Sequence, residues 1–150
     1  MNTINAPQMS VSLDFEFMGT ALTAEYRVSD EGMTILFSSD AIEAAKSITL
    51  SAMTADFNEL VEEEQLDEEQ VVQAIKNDVC SSADDAANGL IDFSKIKFRL
   101  KGLELKIFIG KDGKKSVSYA ITLEIILDGI LPDIKIIRIK SLNFCLKNME

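Results

Sequence analysis

The chain opens with segments in which apolar and polar residues alternate. In residues 10–18 every second residue is apolar, and these residues are Val11, Leu13, Phe15 and Phe17. A period of two is typical of a half-buried strand. Residues 21–28 repeat the pattern, and residues 33–37 follow after Asp30-Glu31-Gly32, which has turn chemistry. The first forty residues therefore predict an antiparallel meander of three strands.

The period changes after residue 39. Asp40 can cap a short helix over 41–45, and Ser51 or Thr54 can cap a second helix that runs to about residue 64. The apolar residues of the second helix share one face, and they are Met53, Phe57, Leu60 and Val61. Asp67 and Gln70 have the spacing of a capping box. The helix that this box predicts buries Val71, Val72, Ile75 and Val79, and residues 80–89 are predicted to form a loop.

Alternation returns near residue 95. Cations occupy every second position of the first strand, and they are Lys95, Lys97, Arg99 and Lys101. Further strands are predicted at 103–109, 116–127, 134–140 and 142–146. Strands, then helices, then strands indicate an α+β fold. We expect antiparallel β-meanders at both ends of the chain, with two or three helices (about 40–79) between them, as a sandwich or as a curved sheet packed on helices.

Two strand segments share the spacing Phe-x-apolar-x-Gly-x-x-Leu. One begins at Phe15 and the other at Phe98, and each leads to a turn that contains glycine. The shared spacing suits any two strand–glycine–strand units, and it also suits two meanders related by pseudo-symmetry. The pattern leaves both interpretations open.

Length and composition are those of one globular domain over residues 1–150, with 1–8 as a flexible N-terminal tail. Of the 150 residues, 47% are hydrophobic and 27% are charged. No secretory signal or apolar run of membrane-spanning length occurs, so a cytoplasmic location is expected. Two cysteines do not make a disulfide framework. Cys145 lies in an apolar run and is predicted to be a buried thiol.

Charge is divided unevenly along the chain. Residues 1–92 hold three basic and 19 acidic residues, whereas residues 93–150 hold twelve basic and six acidic residues. The net charges are therefore −16 and +6, and the whole chain carries −10. This asymmetry favours contact between acidic and basic surfaces, within the chain or between copies. The acidic excess and the lack of aromatics interleaved with cations disfavour nucleic acid as a partner.

The residues that catalysis most often requires are sparse. The chain has no histidine, which removes the commonest general base and metal ligand, and it has no glycine-rich phosphate loop. Asp14, Glu16 and Glu25 are candidates for an acid–base pair, but alternation places them on the solvent side of their strands. We therefore expect a protein that is not an enzyme and needs no cofactor.

One acidic cluster resembles a cation site only in composition. It comprises Glu62, Glu63, Glu64, Asp67, Glu68 and Glu69. The sequence lacks the D-x-[DN]-x-[DN]-G spacing of calcium loops, and acids at a helix start are favoured by the macrodipole. A solvated helix start is therefore the preferred interpretation, and no metal site is predicted.

Three groups of residues are not fully explained if the chain is a monomer surrounded by water, and we interpret them as sites of contact with protein. They are the cations Lys95, Lys97, Arg99 and Lys101, the acids Glu62, Glu63 and Glu64, and the apolar C-terminal residues Ile137 and Phe144. We expect a non-catalytic interaction or assembly module that self-associates or belongs to a larger complex, possessing no membrane span. The alternative is a carrier of an apolar, lipid-like small ligand held between sheet and helices.

Overall fold

A computed structural model describes residues 11–62, 65–79, 96–126 and 141–148. Its elements, in chain order, are β1 (Val11–Phe17), β2 (Thr20–Ser29), β3 (Gly32–Ser39), β4 (Ser47–Thr49), α1 (Leu50–Leu60), α2 (Glu68–Val79), β5 (Lys97–Gly110), β6 (Lys115–Ile126) and β7 (Ser141–Lys147). The strands form one antiparallel sheet in the order β1-β2-β3-β5-β6-β7, and β4 pairs with β5. The described residues thus form a seven-stranded antiparallel sheet with two helices, which is an α+β-like arrangement.

The two predicted meanders are joined edge to edge. β3 pairs with β5 from Gly32↔Gly110 to Ser39↔Leu103, and β4 pairs with β5 at residues 97–99. β3 and β4 therefore lie along the same side of β5. The described strands build a single sheet, and not the sandwich that was one of the two predicted arrangements.

The short helix predicted over residues 41–45 is not formed. Ile42 donates its N–H to the carbonyl of Lys101 at 2.9 Å, and the hydroxyl of Ser39 accepts the N–H of Ala41 at 3.4 Å. Backbone N–H groups of this segment therefore donate hydrogen bonds to β5 and within a local turn. Five residues are also too few to offset the cost of nucleating a helix.

The cap of α1 lies earlier than Ser51 or Thr54. The Thr49 hydroxyl accepts the N–H of Ala52 at 3.1 Å. Thr54 is buried inside the helix, where its hydroxyl donates to the carbonyl of Leu50 at 3.1 Å. A hydroxyl that bonds back to the preceding turn is the usual alternative to capping for a threonine within a helix.

The capping box of α2 is confirmed. The Asp67 carboxylate accepts the N–H of Glu69 at 3.0 Å, and the Gln70 side chain accepts the N–H of Asp67 at 3.1 Å. These two bonds satisfy backbone donors that the first helical turn leaves free.

The apolar rows of the strands share one side of the sheet, which we call the inner face. Its most deeply buried strand residues are Phe98, Leu100, Leu103, Ile121 and Leu123. The ring of Phe57 in α1 meets Tyr119 of β6 edge to face, with centroids 5.4 Å apart. Val71 and Ile75 of α2 belong to the same core. The opposite side, which we call the outer face, carries the charged rows.

A β-bulge interrupts β5. Leu100 pairs with Leu123 and Gly102 pairs with Thr122, so Lys101 has no partner in β6. One extra residue reverses the alternation, and this reversal lets both Leu100 and Leu103 reach the inner face.

Several predictions fall outside the described residues: the tail at 1–8, the loop at 80–89, Lys95, and the strand at 134–140. Within the described part of the chain, neither helix is long and apolar enough to cross a membrane.

Candidate functional site

The predicted basic face lies on the outer face of β5. Lys97, Arg99 and Lys101 are all exposed there. Glu124 of the neighbouring strand β6 forms an ion pair with Arg99, and its other oxygen lies 4.0 Å from the Lys101 ammonium. A carboxylate of the adjacent strand, rather than an acidic helix, therefore balances part of this charge.

Glu62, the described member of the predicted acidic group, lies apart from these cations. Glu62 is exposed just after α1, whose residues pack against the inner face, and it borders a depression with Lys115 and Asn148. Among the described residues, no ion pair joins Glu62 to the outer face. Glu63 and Glu64 lie outside those residues.

β7 divides its residues between the two faces. Leu142, Phe144 and Leu146 are half-buried and pack against the core, whereas Cys145 is an exposed free thiol. The prediction of a buried thiol is wrong, because an apolar run in a strand still alternates and Cys145 falls between two inward residues. Ile137 lies outside the described residues.

β1 and β7 are the two ends of the sheet formed by the described strands. After β7, Asn148 continues the pairing with β6 through its side chain. Its carboxamide oxygen accepts the N–H of Tyr119 at 2.7 Å, and its amide donates to the carbonyl of Val117 at 2.9 Å. This side chain therefore ends the strand while it still satisfies the backbone of β6.

The candidate acid–base residues Asp14, Glu16 and Glu25 are all exposed, as alternation predicts. Asp14 accepts the hydroxyl of Thr23 at 2.8 Å, and Glu25 pairs with Arg27 at 3.3 Å. These partners are surface neighbours on the adjacent strand and on the same strand. Glu16 also borders the cleft described below, but it is exposed there, and none of the three candidates is buried.

An apolar cleft of about 300 Å³ opens between α1 and the inner face of the sheet. Its sheet side is mainly apolar and includes Leu13, Phe15, Phe17, Ile35, Leu105 and Ile107. Leu60 of α1 completes the apolar lining. Charged residues also border it, and they are Glu16, Asp56, Glu59 and Lys115. A concave apolar surface with a few charged groups is the usual form of a small-ligand site.

The β1–β2 turn is anchored to α1 beside this cleft. The N–H of Met18 donates to the Asp56 carboxylate at 2.8 Å. Met18 and Gly19 form a two-residue turn with φ values of 50° and 76°, as in type I′ hairpins. Sequence reasoning missed Asp56, because its position on the polar side of an amphipathic helix is ordinary. Its role depends on where the hairpin tip lies in the folded chain.

Among the described residues, no three histidine, cysteine or acidic side chains are grouped so that they could hold a metal ion. The chain matches no protein-family model, and neither the curated proteins nor the solved structures include one that matches it.

Proposed function

We propose that this chain is a non-catalytic interaction module that self-associates, or joins a larger complex, through the edges of its sheet. The observation that carries the proposal is the incomplete cover of the apolar row on the edge strand β1. Val11 is 59% exposed, and Leu13 and Phe15 are only half-buried. At the other edge, Leu142, Phe144 and Leu146 are also half-buried.

Edge strands of this kind are prone to pair with further strands. An edge offers unpaired backbone N–H and C=O groups, and natural proteins usually protect it with inward-pointing charges, proline or a cover. The inward positions of β1 and β7 are apolar instead, and neither strand contains proline. Adding a strand would satisfy the backbone groups and continue the apolar row.

The test is the molar mass in solution across a concentration series, measured by multi-angle light scattering. The wild type is expected to form species larger than a monomer at micromolar concentration. Val11→Lys should weaken this association, because it places a charge on the inner row of an edge strand. A chain that stays monomeric at every concentration and salt would reject the proposal.

Val28→Lys is the matched control. Val28 is 70% exposed and lies on the same face, but it belongs to β2, which is an interior strand of the described sheet, and it pairs with Met33 of β3. This variant should associate as the wild type does. Equal loss in both variants would indicate contact through the broad inner face instead of through the edge.

A second candidate function, the binding of a small apolar ligand, is favoured by the cleft between α1 and the sheet. Its volume lies at the lower end of the range for ligand pockets. Native mass spectrometry of freshly purified protein should then show a bound small molecule. Leu60→Gln, which makes the α1 side of the cleft polar, should lower the bound fraction, whereas wild-type protein without any bound species would argue against a carrier.

A further inference from the structure

We propose that copies of this chain associate head to tail, with β1 of one copy pairing with β7 of the next. The inference rests on the proposed function, since it names which edges meet. It follows from the charges that the two edge strands carry on the outer face.

The outer rows of the two edges have opposite charge. β1 presents Asp14 and Glu16, both exposed. β7 presents Lys147. In addition, the ammonium of Lys101, which belongs to β5, lies 3.5 Å from the side-chain oxygen of Asn143 in β7. Opposite charges on neighbouring strands stabilise a pair, and like charges directly opposite destabilise it.

Pairing between identical edges is therefore disfavoured. Two β1 strands would bring four carboxylates together, and two β7 strands would bring their lysines together. Pairing β1 with β7 places carboxylates beside ammonium groups on the outer face. Charge complementarity of this kind selects the partner and raises the association rate.

The inner rows of the two edges match in the same arrangement. Leu13 and Phe15 on β1 would continue the row of Phe144 and Leu146 on β7, and all four are half-buried in a single copy. One continuous sheet would then carry one continuous apolar row across the contact. Burial of these side chains supplies the favourable free energy, while the outer row sets the direction.

A head-to-tail contact leaves one β1 and one β7 free on every assembly that is not a ring. Such heterologous contacts produce closed rings when the rotation permits and open filaments when it does not. The assembly should therefore grow beyond a dimer as concentration rises.

The test uses two charge-reversed double variants at exposed positions. Asp14→Lys/Glu16→Lys makes β1 basic, and Asn143→Glu/Lys147→Glu makes β7 acidic. Each variant alone would place like charges at every contact, so its association midpoint should rise by at least about tenfold. An equimolar mixture restores opposite charges at every contact and should return the molar mass toward that of the wild type. Circular dichroism and thermal melts of each variant check that it folds.

The alternatives give different results. If two β1 strands or two β7 strands meet, the wild-type contact already places like charges together, and one of the double variants leaves that contact unchanged. That variant should then associate as the wild type does, and the mixture, which pairs opposite charges, should associate more strongly than the wild type. Either result overturns the head-to-tail arrangement. A wild type that is monomeric throughout rejects the proposed function itself. A wild type that associates while the mixture fails to recover rejects only this inference.

Discussion

Gly32 lies where the two meanders pair, at a position where the backbone of β5 leaves no room for a side chain. It ends the β2–β3 hairpin with φ at +149°, and it faces Gly110 across the β3–β5 ladder. A Cβ at this position would lie 2.2 Å from the carbonyl oxygen of Ile109. Because the obstacle is backbone, no side-chain rotation relieves it.

Gly32→Ala is therefore expected to destabilise the fold by about 3 kcal/mol or more, through the clash and through its positive φ. Gly113→Ala is the matched comparison. Gly113 also has positive φ, at +81°, but a Cβ there meets nothing within 4 Å, so its cost should be about 1 kcal/mol. Urea denaturation of both variants measures the difference. Equal costs would contradict the close approach of β3 to β5.

Asp56 is the second residue whose role depends on tertiary contact. Its carboxylate accepts the Met18 N–H, and Met18 is fully buried in a left-handed conformation. Asp56→Ala leaves this N–H without its partner, and we expect a loss of about 1–3 kcal/mol in the free energy of unfolding. Glu59→Ala, an exposed acid on the same helix, should change it by about 0.5 kcal/mol or less. A cost for Glu59→Ala as large as that for Asp56→Ala would show that helix charge, not the hydrogen bond, matters.

At the scale of elements, the bulge in β5 leads us to expect that deleting one residue of this strand has different effects at different positions. Deleting Lys101 removes the one residue without a β6 partner, so the pairs on either side keep their register. We expect this variant to fold with a loss of about 1–3 kcal/mol, since the Ile42 N–H loses the Lys101 carbonyl.

Deleting Lys106 is the matched experiment, because it removes another exposed lysine from the same face of β5. This deletion shifts Ile107 and Ile109 to the outer face unless the hairpin slips. It should therefore be far more damaging than deleting Lys101. Thermal unfolding followed by circular dichroism compares the two, and similar melting temperatures would argue against the observed register.

The repeated Phe-x-apolar-x-Gly-x-x-Leu spacing corresponds to two different structures, which the spacing itself does not distinguish. At Gly19 the spacing produces a hairpin turn, and at Gly102 it produces a bulge within one continuous strand. The signal that distinguishes them is the parity of the apolar positions, which are even up to Leu100 and odd from Leu103. Alternation predicted most of the strands. A change from even to odd apolar positions, however, can arise from a hairpin turn as well as from a bulge.

At the scale of the whole molecule, we expect salt to have two opposite effects, because it should stabilise the folded monomer and weaken association between copies. A chain with net charge −10 repels itself when compact, and salt screens this repulsion over a Debye length of about 10 Å at 0.1 M. At a concentration where the chain is monomeric, raising NaCl from about 0.02 to 0.2 M should raise the melting temperature by about 2–4 °C, which corresponds to about 1 kcal/mol. Association between oppositely charged edges should weaken over the same range.

Differential scanning calorimetry at low protein concentration measures the first effect, and light scattering at high concentration measures the second. A melting temperature that falls with salt while the chain is monomeric would show that local ion pairs, such as Arg99–Glu124, outweigh the net charge.

Most strands, the main inward rows and both helices could be predicted from the sequence, because alternation and a 3.6-residue period are local properties. The strand β4, the continuity of β5 through Gly102 and the cap of α1 at Thr49 could not be predicted, since they depend on pairing and packing. The partner of a backbone group or a charge is not local. Tertiary structure alone decided that β3 pairs with β5, that residues 41–45 follow β5 instead of forming a helix, and that Glu124 meets Arg99. The two charged parts of the chain became opposite ends of one sheet only when the meanders joined, and that arrangement is the basis of the proposed contact between copies.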